Sequence, residues 1–356
     1  MDVEKYLEEK AALIDKTIEK YLPRTLSKGA IVFKVNPPRY AYNIEPLNKT
    51  IFEPVWEFLD RGGKRWRPSL FLLICKVLGK KSEMYLDFSI IPEVVHNGTL
   101  MVDDIEDGSE CRRGKPCTYR IYGLDIAVNA GNAMYFLPLL PLIEHRDQVP
   151  VQKLAGVYDV YVQEMINLSL GQAMDIAWHK GLANADTITE QDYLQMCAYK
   201  TGTLARMAAR MAAVLCDADS NLVDKLGHFA ESIGVAFQIQ DDVLDMMSDA
   251  FAQKKGGRGQ DITEGKRSLM VIHTLRTANN KDSRRLVEIL NMHTSAQKLR
   301  DEAISLMQKY HSIEYTRDTA KKLVGQSWSE VEGLLPPSAV KEELKAFAEF
   351  LIRRKT

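Results

Sequence analysis

Cysteine, net charge and long apolar runs are all scarce in this chain. Its five cysteines are scattered over 356 residues, with no C-x-x-C pair and no Cys/His ligand spacing. That excludes a disulfide-stapled domain and a zinc ribbon, and it fits reduced thiols in a reducing compartment. Lys plus Arg number 47 against 48 Asp plus Glu, so the basic field of a sequence-independent nucleic-acid binder is missing. A hydrophobic content of 46% at a net charge of -1 excludes a disordered chain. No apolar run approaches the roughly 18 residues of a membrane span. The nearest, 134–143, carries Pro138 and Pro141. The opening segment MDVEKYLEEK contains acids, unlike a signal or transit peptide. The expectations are therefore no transmembrane segment, no nucleic-acid partner and a cytoplasmic location. Without a secretory signal, the N-x-[ST] triplets at Asn48, Asn97 and Asn167 read as chance.

Alternating β-branched strands are also missing, with Ile31 to Val35 the one candidate, and no internal repeat is apparent. What the chain does have is helical periodicity. Val3, Leu7, Ile14, Ile18 and Tyr21 share one stripe, and Pro23 ends it. Prolines and glycines punctuate residues 24–46, which read as loop or short extended pieces. From Ile51 onward the sequence is almost entirely helix-compatible. The expected organisation is an N-terminal helix and irregular arm over 1–50, followed by one all-α domain over 51–356.

Two acidic motifs carry the first chemical signal. Asp103-Asp104-Ile105-Glu106-Asp107 ends an apolar helical segment that begins near Pro92. At about 100° per residue, Asp103 and Asp107 fall about 40° apart on one face, with His96 between them in angle. Clustered carboxylates repel, and acids rarely sit in an apolar helix without a partner. A divalent cation resolves both problems, and oxygen-only ligands suit magnesium rather than zinc. The competing reading is a solvated helix end. Asp241-Asp242-Val243-Leu244-Asp245 repeats the D-D-x-x-D spacing in a second apolar run, with Gln238 on the same face. The duplication suggests two facing acidic walls that hold several metal ions.

Magnesium held by carboxylates usually shares phosphate oxygens, and the sequence supplies matching cations. Gly62-Gly63-Lys64-Arg65-Trp66-Arg67-Pro68 is a glycine turn, three bases and a proline suited to a helix start. Arg112-Arg113-Gly114 follows the first acidic motif, and Lys200-Thr201-Gly202 and Glu264-Gly265-Lys266 place lysines beside glycines. Each cluster alone reads equally as solvated surface. Together they imply one or two diphosphates, bound by arginine forks and lysine point charges. A nucleotide P-loop ending at Lys266 is excluded, because Gln260 replaces its first glycine and Arg267 its Ser or Thr.

In this order, these motifs resemble the trans-isoprenyl diphosphate synthases (the polyprenyl synthetase family), together with Gly171-Gln172-x-x-Asp175, Phe237-Gln238 and Asp261-x-x-Glu264-Gly265-Lys266. The resemblance spans Ile51 to about Leu275. The stretch 100–107, followed by Arg112-Arg113-Gly114 and Ile121-Tyr122-Gly123, is most similar to the geranylgeranyl diphosphate synthase branch. It implies an all-α isoprenoid-synthase-type helix bundle with a central apolar cavity, usually as a homodimer. It implies three magnesium ions per active site on Asp103, Asp107 and Asp241, supported by Asp104 and Asp245, with Asp242 and Lys200 among the catalytic groups. Arg112, Lys200, Thr201, Gln238 and Lys266 would hold the allylic diphosphate. Lys64, Arg67, His96 and Arg113 would hold isopentenyl diphosphate. The family's further loop lysine falls to Lys255, with Arg258 as rival.

The implied activity is head-to-tail condensation of isopentenyl diphosphate with an allylic diphosphate. A class I terpene cyclase would not need the second diphosphate set, and a non-catalytic subunit would be expected to lack one acidic motif. For product length, a tail pinned near Asp103 runs back along its helix past the small residues Gly98 and Thr99. By resemblance it stops at Tyr135 and Phe136, against the alternative that these are plain core aromatics. One helical turn is about 5.4 Å, similar to a five-carbon unit. The expected product therefore has twenty carbons, with twenty-five or more as the alternative.

Overall fold

The computed structural model describes residues 1–247 and 258–353. It is 77% helical. Among the described residues the only strands are the two-residue pair Cys111–Arg112 and Lys115–Pro116. The expected all-α class holds.

The chain divides into two compact units. The first comprises residues 1–162, 207–227 and 334–346, and the second 163–206, 228–333 and 347–356. The first unit opens with α1 (Val3–Tyr21), whose N-cap Asp2 accepts a hydrogen bond from the Lys5 amide. Its stripe of Val3, Leu7, Ile14, Ile18 and Tyr21 is buried, as its period requires. Short helices α2 (Ile31–Val35) and α3 (Ile44–Leu47) follow, then α4 (Glu53–Leu59), α5 (Trp66–Val77) and α6 (Leu86–Glu106). Two sequence expectations need correction here. Ile31–Val35 is a single helical turn rather than a strand, its apolar side chains resting partly buried on the core. The acidic helix starts at Leu86 rather than near Pro92. Phe88, Ile90 and Ile91 are buried on its first turns, and the helix tolerates Pro92 inside it.

α6 is the axis of this unit. α1, α5 and α8 (Leu124–Phe136) pack against it, and α7 (Thr118–Tyr122) joins the bases after the acidic motif to α8. The core gathers Ile14, Ile18, Trp56, Phe58, Ile90, Val94, Met101 and Met134. Leu124–Glu144 proves long and apolar enough to cross a membrane by length and composition, with a hydropathy of 1.5. The reason for its apolarity is visible: Ala127, Ala130, Gly131 and Met134 are buried on α8, and α9 (Leu140–Glu144) buries Leu140 and Leu142.

In the second unit the site is carried by parts of α10 (Val151–His179) and α13 (Ser220–Met247), with α11 (Glu190–Cys197) and a π-turn at Ala198–Gly202 that leads into α12 (Thr203–Leu215). Val243, Met246, Ile262, Met270, Leu286, Ile289 and Met307 form a core beneath α13.

Candidate active site

The first acidic motif occupies the C-terminal end of α6. Asp103 and Asp104 lie in its last turn, and Asp107 is the cap residue just beyond it. Carboxylates there face the negative pole of the helix, an arrangement that raises their energy unless a cation is near. Arg112 supplies one. Its Nε and Nη2 donate to Asp104 Oδ1 at 2.7 and 2.5 Å, and Nη2 stands 3.5 Å from Asp103 Oδ2. Asp104 is fully buried. Burial pushes its pKa up, opposed by Arg112 and reinforced by Asp103. The Cys117 thiol lies against the same carboxylate, and burial raises that thiol to about 12.

The bases of the glycine turn separate by role. Arg65, in the left-handed conformation at the start of α5, turns inward. It donates to Asp15 at 2.7 Å, to Glu93 at 3.2 Å and to the Leu59 carbonyl at 3.1 Å. Lys64 is exposed. Arg67 is buried, with its guanidinium 4.5 Å above the Trp66 ring, and its Nε makes no hydrogen bond within the protein. Arg113 donates to the Gly62 carbonyl and to Asn97 Oδ1 at 3.2 Å. Gly63 makes room for this: a Cβ there would stand 2.9 Å from Arg65 Nη1 and 3.5 Å from Arg113 Nη2. Burial holds Arg67 and Arg113 at about 10, partly offset by Glu93; Arg113 lowers Arg67 further, and Arg65, Arg112 and Arg61 lower Arg113. His96 is lowered well below its usual value by burial and then by Arg67, Arg113, Arg112 and Arg65. The result is a desolvated positive patch with a neutral imidazole, built for a multiply charged anion.

Of the residues read as a chain-length floor, the structure brings two together. A Cβ on Gly98 would stand 2.8 Å from Met134 Cβ, 2.9 Å from the Gly131 carbonyl and 3.2 Å from Tyr135 Cε1. The missing side chain of Gly98 is therefore taken up by α8 and is not open space. Thr99 is half-buried and donates its hydroxyl to the His96 carbonyl at 2.8 Å. Phe136 is 68% exposed and does not join them. The Tyr135 carbonyl accepts a hydrogen bond from the Tyr161 hydroxyl.

In the second unit, Asp241, Asp242 and Asp245 lie in the last turns of α13, again at a helix C-terminal end. Asp242 is held from both sides: Gln238 Nε2 donates to it at 2.8 Å and the Tyr193 hydroxyl at 2.7 Å. Burial, then the like charge of Asp261, push Asp242 to about 7. Thr201 donates to Gln238 Oε1 at 3.1 Å, and Lys200 pairs with Asp175 at 2.5 Å. Lys266 pairs with Glu264 at 2.5 Å and stands 3.8 Å from Asp261. The Asp261 amide donates to Asp245 Oδ2 at 3.1 Å. Lys200, Thr201, Gln238, Asp242 and Lys266 line one pocket.

Glycine makes this convergence geometrically possible. A Cβ on Gly171 would lie 2.4 Å from the Lys200 amide nitrogen, and one on Gly234 2.7 Å from Gly202 Cα. Only bare backbone lets α10 and α13 approach the π-turn that carries Lys200 and Thr201.

Sequence reasoning missed Tyr193, Asn97 and Glu93. Buried Glu93, one turn before Asn97 in an apolar helix, was the available signal. Tyr193 left none, because its contact with Asp242 spans 49 residues. Lys255 lies outside the described residues. Its rival Arg258 is ion-paired to Asp301 at 2.5 Å.

Both acidic ends fit a hard divalent cation. The donors are carboxylate oxygens, both sets face a helix's negative pole, and Asp242 carries a repulsion that a cation relieves. Among the described residues, the one His/Cys/Asp/Glu cluster with ligand atoms already converged is elsewhere, at Asp87, Glu144 and His145.

Comparison with known proteins agrees with this geometry. The family model described as Polyprenyl synthetase matches residues 48–307. A short chain isoprenyl diphosphate synthase of Methanothermobacter thermautotrophicus is 31% identical over 306 residues, covering 86% of this chain and 91% of that protein. A geranylgeranyl pyrophosphate synthase of Dictyostelium discoideum is 31% identical, covering 78% of this chain and 86% of the relative. The crystal structure of geranylgeranyl pyrophosphate synthetase from Pyrococcus horikoshii superposes with a TM-score of 0.84 at 30% identity, over 99% of this chain and 98% of that one. With its two D-D-x-x-D helix ends, its buried arginine patch and its lysine–threonine pocket, this chain belongs to the polyprenyl synthetase family.

Proposed function

We propose that this trans-prenyltransferase condenses isopentenyl diphosphate with an allylic diphosphate to give geranylgeranyl diphosphate and free diphosphate. The observation that supports this reading is two separate groups of basic side chains in the chain. Arg67, Arg113 and His96 form a buried patch suited to isopentenyl diphosphate, with exposed Lys64 beside them in sequence. Lys200, Thr201, Gln238 and Lys266 line the pocket beside Asp242 and suit the allylic diphosphate, to which the family resemblance also assigns Arg112. Asp103, Asp107 and Asp241 would hold magnesium, three ions in the family's manner, supported by Asp104, Asp242 and Asp245.

Bound metal supplies charge stabilisation on the departing diphosphate. The chain's own cations share that load: Arg112 and the two lysines accept the negative charge that grows as the allylic carbon–oxygen bond breaks. The electron pair of that bond leaves with the diphosphate. The alkene of isopentenyl diphosphate forms the new carbon–carbon bond, and a proton is then lost to the departing diphosphate. His96 and the buried arginines hold the second diphosphate in place, and its carbon–oxygen bond stays intact because that homoallylic carbon cannot form a delocalised cation. The apolar residues along α6 exclude water from the cation.

Twenty carbons is the proposed product length, with Tyr135 seated against Gly98 as the stop. A longer product is the second reading, favoured by Phe136 pointing to solvent and leaving one aromatic where the family pattern suggested two. A homodimer is supported by the exposed apolar residues Leu124, Val128 and Phe136 on α8 and by Tyr158, Val162, Ile166 and Leu170, which recur every four residues along α10. The scattered free thiols support a cytoplasmic location. Mass analysis of products from labelled isopentenyl diphosphate, offered ten-, fifteen- and twenty-carbon primers, tests the assignment. A cyclised hydrocarbon, or no elongation of any primer, would overturn it.

A further inference from the structure

At the opposite end of α6 from the acidic motif, five polar side chains converge from three helices. Asp87 stands in the first turn of α6, Glu144 and His145 at the end of α9, and Lys20 and Tyr21 at the end of α1. The Tyr21 hydroxyl lies 2.6 Å from Asp87 Oδ2 and 2.6 Å from Glu144 Oε2. Lys20 Nζ stands 2.7 Å from Asp87 and 3.3 Å from Glu144. His145 Nε2 is 2.8 Å from Asp87 Oδ2, and its Nδ1 is 3.1 Å from Gln148 Oε1.

The proton inventory of this cluster closes only with a protonated His145 or with an added cation. A phenol has one proton, yet Tyr21 makes two equally short contacts with carboxylate oxygens. Gln148 Oε1 only accepts, so His145 Nδ1 carries the ring hydrogen and donates it. In the neutral imidazole, Nε2 is then a bare lone pair aimed at a carboxylate oxygen. Two carboxylates face a single ammonium, which leaves one negative charge over. Unless His145 is protonated, the cluster is short of a proton and of a positive charge at the same point.

We propose that Asp87, Glu144 and His145 form a second divalent-metal site of zinc type, separate from the acidic motifs. The three ligand atoms already lie within 4.8 Å of one another. One imidazole nitrogen with two carboxylate oxygens suits zinc, whereas magnesium favours oxygen and water alone. The Nδ1–H of His145 donated to Gln148 is the outer hydrogen bond that metal-ligating histidines usually make. Lys20 marks the cation position in the absence of the metal. Its side chain is 43% exposed, so it can swing away as an ion enters. Bound there, the ion ties α6 to α9 beside the end of α1, and it takes no part in the transfer reaction.

Equilibrium dialysis of the EDTA-stripped full chain against zinc, in millimolar magnesium, tests this. Wild type and an Asp103→Asn/Asp241→Asn variant should each bind one zinc per chain, and zinc should raise the melting temperature of both. His145→Ala and Glu144→Gln should each weaken that binding about tenfold or more. Lys20→Met, which removes the competing ammonium, should tighten it. Cobalt in place of zinc should give a visible absorption band in wild type that is lost in His145→Ala. If neither wild type nor Lys20→Met binds zinc, or if His145→Ala and Glu144→Gln bind it as wild type does, the site does not exist and a protonated His145 balances the cluster instead.

Discussion

Arg67 and Arg113 are held near 10 chiefly because they are buried, and the same positive surroundings lower His96. An incoming diphosphate meets donors whose desolvation was completed on folding. Arg113→Ala should therefore raise the KM for isopentenyl diphosphate by about 10- to 100-fold, the equivalent of ~1.5–3 kcal/mol for a charged hydrogen bond. Lys200→Ala should do the same for the allylic substrate. Steady-state kinetics with each substrate varied in turn checks the separation, and both variants weakening the same substrate would show the two sets are misassigned. Asp103→Ala and Asp241→Ala should each lower kcat by orders of magnitude without abolishing folding. The pH dependence has a defined sign. His96 has a folded pKa below the ordinary value of about 6.5, so below that pH the unfolded chain takes up a proton that the folded chain refuses. Its contribution to stability is complete above about pH 6.5 and is lost as pH falls toward the folded value. Urea midpoints followed from pH 8 down to pH 5 should fall more steeply for wild type than for His96→Gln.

The elements that carry periodicity were legible in the sequence. The α1 stripe and the two D-D-x-x-D helices follow from spacing alone, because burial on one face imposes it. What spacing does not carry is contact. The inward turn of Arg65 depends on a left-handed backbone and on Asp15, 50 residues away. The place of Lys200 depends on a π-turn pressed against Gly171. Phe136 is adjacent to Tyr135 in sequence but points to solvent, and no apolar pattern distinguishes the two. The same seams yield predictions. Gly171→Ala forces a methyl into the Lys200 amide, so it should destabilise by about 1–3 kcal/mol and impair the allylic site along with it. Tyr135→Ala should lengthen the product, whereas Phe136→Ala should leave its length unchanged. Radiolabelled product analysis on both separates a stop at Tyr135 from a floor elsewhere.

At the scale of the molecule, apolar side chains stand exposed on α8 and at every fourth residue along α10, and exposed apolar rows of this kind usually mark an interface. Val162→Glu and Ile166→Glu together should convert the proposed dimer to a monomer in analytical ultracentrifugation. If the wild type sediments as a monomer at micromolar concentration, that face has another use.

The seam where Gly98 meets α8 bears on how product length can change over time. A larger residue at 98 has nowhere to go while Met134 and Tyr135 stand where they do, and a smaller residue at 135 leaves a hole beside a glycine. On the proposed stop at Tyr135, length would be set by the seam of α6 and α8 rather than by one residue alone. Routes between short- and long-product variants would then run through position 135 rather than 98, because any side chain at 98 meets Met134 Cβ and the Gly131 carbonyl before it meets Tyr135 and forces α6 and α8 apart.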